Sequence, residues 1–99
     1  MCFLPYGGVP MLFMIIETFP DPAKVYARFR EKGRMAPETV KYVDSWVDVS
    51  GTRCFQLMEC DDLAPLMQWI AAWSDLGTFE IVPVVPSKVA AGIFGDAAS

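Results

Sequence analysis

Two carboxylates and a group of aromatic side chains in the middle of the chain are the residues whose types and spacing suit chemistry. Asp44 and Glu59 fall in the stretch YVDSWVDVSGTRCFQLMECDD, residues 42–62, among Tyr42, Trp46 and Phe55. The stretch reads as a β-hairpin, because Ser50-Gly51 is a tight-turn signal between runs rich in β-branched and aromatic residues. A two-residue loop there sets Tyr42, Asp44, Trp46 and Asp48 opposite Glu59, Leu57, Phe55 and Arg53 on one face. The other face carries Val43, Ser45 and Val47 opposite Met58, Gln56 and Cys54. A carboxylate on a covered, ring-lined surface is harder to ionise, so its pKa rises into the range for acid–base work. On this reading Asp44 or Glu59 is the base, and Tyr42 and Trp46 hold a flat substrate. Trp69 and Trp73, on a later helix, would complete the pocket. The bland alternative is a solvated sheet margin, with Asp48 and Arg53 as a cross-strand ion pair and Ser45 and Gln56 hydrogen-bonded internally.

Other constellations are weaker. Glu59, Asp61 and Asp62 form an acidic cluster, but carboxylates at a helix start complement its dipole and cap its free amides. The chain has no histidine, which removes the commonest general base and metal ligand. Neither a metal nor a cofactor is expected. Five of the eight basic residues fall between Lys24 and Arg34. Lys24, Arg28 and Lys32 make a helical stripe that reads as a solvated face. The net charge of −4 argues against nucleic acid. Three cysteines cannot all pair within one chain, and Cys54 and Cys60 sit too far apart along one strand to bridge. Reduced thiols and a cytoplasmic location are therefore expected.

These side chains must be positioned by a small number of elements. Residues 11–17, MLFMIIE, form a short and nearly continuous apolar run that suits a central strand buried on both faces. Asp21 and Pro22 open a helix over 22–32, which Gly33 stops. Residues 39–49 and 53–60 are the hairpin strands. Asp61 or Asp62 caps a second helix that carries Leu63, Leu66, Met67, Trp69, Ile70 and Trp73 as a wide apolar stripe and ends at Gly77. Residues 78–85 form a fourth strand, confined to a sheet edge by Pro83 and Pro86. The tail forms a short helix through Val89 to Phe94. The order is β-α-β-β-α-β, the α+β ferredoxin-like fold, with strands one and three central and both helices on one face.

The domain expected is 11–86, preceded by an uncharged extension at 1–10 and followed by a tail at 87–99. Met11 would serve as an alternative start. No segment reads as a membrane span. At 54% hydrophobic residues in 99 positions the chain carries more apolar surface than so small a body hides alone. The second face of the sheet would be left open, so a homodimer joined sheet to sheet is expected.

The blocks MLFMIIETF, RFREKGRM, YVDSWVD, RCFQLMECDD, WIAAWSDL and FEIVPVV resemble a family of small, uncharacterised bacterial proteins classed as a domain of unknown function. They span about three-quarters of the chain, from Met11 to about Val85. The family looks like part of the dimeric α/β-barrel group, which implies a ferredoxin-like protomer and a dimer but no established activity. That wider group includes cofactor-free monooxygenases, haem-degrading proteins and muconolactone-isomerase-like proteins; the missing histidine argues against haem. Two functional expectations follow. The first is a protein that binds a small, partly apolar molecule between sheet and helices. The second is a cofactor-independent enzyme, monooxygenase- or isomerase-like, acting on an aromatic or enolisable substrate.

Overall fold

The computed structural model describes residues 11–98; the extension at 1–10, Cys2 with it, lies outside them. The elements are β1 (Met11–Thr18), α1 (Pro22–Lys32), β2 (Lys41–Val47), β3 (Arg53–Cys60), α2 (Leu63–Trp73), β4 (Thr78–Val84) and α3 (Ser87–Ala98). The four strands form one antiparallel sheet in the order β2-β3-β1-β4. This is the ferredoxin-like α+β arrangement, with a third helix added after β4. The most apolar strand, β1, is central, and the proline-bearing strand β4 is at an edge, the place in a sheet where proline is tolerated.

Side-chain alternation divides the sheet into two faces. Phe13, Ile15 and Met58 point to the helix side, where they pack with Leu66, Trp69 and Trp73 of α2 into the core. Leu12, Met14, Ile16, Leu57 and Val82 take the opposite parity and form an apolar face that neither α1 nor α2 covers. α3 leaves Val89, Ile93 and Phe94 exposed. Among the described residues no helix is long and apolar enough to cross a membrane.

The hairpin departs from the expected register in one place. Lys41, not Tyr42, stands opposite Glu59, and Tyr42 stands opposite Met58, because Val43 is an extra residue in β2. This bulge turns Tyr42 to the helix side of the sheet, away from Asp44 and Glu59. The loop runs from Asp48 to Thr52 rather than over two residues, and Gly51 takes φ 77°. The Asp48–Arg53 ion pair is not made. Asp48 instead accepts from the Ser50 hydroxyl at 2.7 Å, and Arg53 lies over the Phe55 ring at 5.0 Å.

Two helix ends also differ. Asp62 caps α2 by accepting from the Ala64 amide, whereas Asp21 makes no side-chain cap to α1. α2 ends at Trp73, and Gly77 serves a different purpose: a Cβ there would collide with the Thr18 carbonyl oxygen. Glycine is required by this close approach of the chain to the end of β1, not by a left-handed helix stop.

Candidate functional site

α1 does not seal against the sheet. None of its residues is fully buried, and Tyr26 and Phe29, which the helical pattern directs inward, remain exposed. The space left between α1, α2 and the sheet is a cavity of about 200 Å³. Its walls are mostly apolar: Val25 and Phe29 from α1, Trp69 and Trp73 from α2, and Phe19 after β1. Glu17, Arg34, Ser45 and Gln56 face it with polar side chains, and Tyr26 and Cys54 also line it.

Among the described residues, Glu17 is the carboxylate the fold buries. It follows Phe13 and Ile15 on the inward parity of β1 and is only 5% exposed. One of its oxygens accepts from the Gln56 side-chain amide of β3. The Gln56 carbonyl accepts in turn from Arg34 Nε at 2.6 Å. A line of contacts therefore runs Glu17–Gln56–Arg34 across the floor of the cavity. Burial pushes the Glu17 carboxyl up to about 7, against the opposing pull of the Gln56 hydrogen bond and the Arg34 charge. Cys54, on the same wall, is also pushed up by burial, to about 11, so it stays a neutral thiol.

Arg34 is positioned by its own backbone. Gly33 takes φ 68° and Met35 φ 60°. A left-handed conformation is uncommon for a side chain like that of methionine and carries strain. The segment is pinned from α2: the indole N–H groups of Trp69 and Trp73 both donate to the Arg34 carbonyl, at 3.0 and 2.9 Å. The guanidinium lies 3.7 Å above the Tyr42 ring and 5.2 Å from that of Phe29, a stacking arrangement that suits its flat, delocalised charge. Tyr42 is held by a 2.7 Å hydrogen bond with Ser45. Arg28 is not part of a free basic stripe. It forms a two-pronged pair with Asp75 at 2.7 Å and ties α1 to the end of α2.

The residues singled out from sequence divide between two places. Trp69 and Trp73 line the cavity, and Tyr42 adjoins it through Arg34. Asp44, Glu59, Trp46 and Phe55 lie on the opposite face of the sheet. Asp44 is exposed and accepts from the Ser45 amide; Glu59 is half-buried across from Lys41. Gln56 is hydrogen-bonded internally, to Glu17 and Arg34. Glu17 and Arg34 were not picked out. Glu17 had a signal, since it is the one charged residue on the inward parity of a strand that is otherwise apolar. Arg34 had none, because its direction depends on the backbone turn at Met35. Among the described residues no group of three or more histidines, cysteines or carboxylates is placed to hold a metal ion.

The raised pKa of Glu17 carries a stability consequence. In the unfolded chain the carboxyl titrates near 4.5; in the fold it titrates near 7. The folded state binds this proton more tightly, so its contribution is complete below pH 4.5 and is lost as pH rises through about 7. Glu17→Gln keeps a neutral acceptor for Gln56 and removes the penalty of ionising in the cavity. The variant is expected to gain on the order of 3 kcal/mol over the parent at pH 8 and almost nothing at pH 4.5. Urea unfolding of both proteins across this range measures the difference.

No curated protein and no solved structure matches the chain. A family model does, over residues 11–98, from the start of β1 to the end of α3, and so over nearly all of its length. The chain belongs to the family described as a domain of unknown function, DUF3303.

Proposed function

We propose that the protein binds a small, partly apolar molecule in the cavity between α1 and the sheet, and that it does so as a homodimer joined through the open sheet face. The observation that carries the binding reading is the cavity itself. A domain that hides so little of α1 leaves Tyr26 and Phe29 at the rim and two tryptophans on the wall, with a few convergent polar groups on the floor. Concave, mostly apolar sites with few polar groups are the usual form of small-molecule sites. At about 200 Å³ the cavity is smaller than the ~300–1,000 Å³ of drug-sized sites, which suits a molecule of one ring.

A second reading, a cofactor-independent enzyme of monooxygenase or isomerase type, is favoured by one observation: an inward carboxyl that titrates near neutrality. In that reading Glu17 is the base for a substrate in the cavity. Asp44 and Glu59, with Trp46 and Phe55, would serve a site on the other face that only a second copy could enclose. A cytoplasmic location remains part of the proposal, supported by the free thiols of Cys54 and Cys60.

Ligand binding is read from thermal shifts and tryptophan fluorescence with a set of single-ring compounds. At least one compound is expected to raise the melting temperature and change the emission of Trp69 and Trp73. Filling the rim with Val47→Trp should abolish both effects. A set in which no compound stabilises the protein contradicts the reading. For the dimer, sedimentation at micromolar concentration should give the mass of two chains, and Leu57→Lys on the open face should return one. A parent protein that sediments as a monomer contradicts the sheet-to-sheet model.

A further inference from the structure

The binding reading leaves the chemistry of the ligand open, and the floor of the cavity narrows it. Arg34 uses Nε to reach Gln56. Its two Nη nitrogens have no hydrogen-bond partner among the described residues, and the side chain lines the cavity. On the Glu17 side, Oε2 takes the Gln56 amide, whereas Oε1 has no partner among the described residues. Yet no buried, sealed-off polar atom lacks a partner in the described structure, so Oε1 is open to the cavity. The cavity thus offers a forked donor on one side and a carboxyl oxygen on the other, with aromatic walls around both.

The two charges are unequal. The guanidinium is positive at every accessible pH, while the carboxyl is neutral or negative depending on its proton. A cationic ligand would sit beside a permanent positive charge in a ring-lined space and be repelled. An anionic ligand meets the guanidinium and is opposed only while Glu17 is ionised; once protonated, Glu17 can donate to the anion instead. We infer that the cavity takes a single-ring organic carboxylate, with its carboxylate on the Arg34 Nη groups and its ring among Phe29, Trp69 and Trp73, and that Glu17 takes up a proton from solvent as the ligand binds. The inference rests on the reading that this cavity binds a small, partly apolar molecule.

The surroundings of Glu17 leave little else to respond to pH. From β3 it meets Gln56 and the Cys54 thiol, which burial keeps neutral through this range. β4 places Phe79 opposite it. α1 contributes Tyr26 to the same cavity, α2 contributes only Trp69 and Trp73, and Arg34 supplies the positive charge. Uptake of one proton should therefore make binding about tenfold weaker at pH 8 than at pH 6, since the protonated fraction of a group titrating near 7 falls about tenfold between them.

Titration calorimetry with benzoate and its neutral counterpart benzamide tests this on the full chain. Benzoate is ionised throughout the range, so a pH effect must come from the protein. Benzoate should bind with close to one proton taken up at pH 8, measured in two buffers of different ionisation enthalpy, and should weaken about tenfold from pH 6 to pH 8. Glu17→Gln, which should fold at least as well as the parent, should bind benzoate with no proton uptake and no pH trend. Arg34→Gln should lose about tenfold or more for benzoate while benzamide changes by about twofold at most. Benzamide binding as well as benzoate at both pH values, or a pH trend that persists in Glu17→Gln, overturns the inference and leaves the binding reading standing. If neither compound binds, nor any other ring-bearing molecule of that size, the binding reading fails and takes this inference with it.

Discussion

The arrangement of this molecule depends on the hydrogen-bonded line Glu17–Gln56–Arg34, laid across the helix side of the sheet. It joins the two central strands to the connector after α1 by side chains rather than by backbone. Burying a carboxyl is costly, and a half-satisfied buried polar group costs more than none. Gln56 resolves this by offering its amide to Glu17 and its carbonyl to Arg34, so each member is satisfied at least once. What the line does not satisfy, one carboxyl oxygen and the guanidinium fork, faces the cavity. The same contacts that let the strands carry a carboxyl inside therefore leave two polar groups turned to the cavity.

The rest of the fold holds that line in place. Two indole N–H groups converge on the Arg34 carbonyl and fix a connector that turns twice through positive φ. The strain at Met35 is sustained because its neighbours over-determine the path: the tryptophans are core residues of α2 and Met35 itself packs against the core. The Arg28–Asp75 pair then ties α1 to the end of α2 without pressing α1 onto the sheet. The gap under α1 has polar groups on its floor and large rings at its rim.

The architecture was legible in the sequence because its markers are local. A continuous apolar run places β1 in the middle of the sheet, Pro83 sends β4 to an edge, and Pro22 with Gly33 brackets α1. The site was less legible because its determinants are not local. The Val43 bulge adds one residue to an edge strand, and Tyr42 and Val43 are both plausible on either face, so hydrophobic pattern cannot reveal it. That single residue moves Tyr42 from the company of Asp44 to that of Arg34. Gly77 reads as a helix stop when only α2 is considered; its real constraint is Thr18, far away in sequence. Trp69 and Trp73 were legible as pocket candidates from their bulk and helical spacing. Their second task, gripping the Arg34 carbonyl, depends on a backbone turn that residue types do not specify.

The site depends on Glu17 holding a proton near neutral pH inside a folded cavity. Carbon-13 NMR of the Glu17 side-chain carboxyl, followed against pH in the folded protein, observes that proton directly. A midpoint near 7, well above the 4.5 of an ordinary glutamate, is the predicted result. A midpoint at the ordinary value would mean that the carboxyl is solvated, and would contradict the buried line on which the site is built.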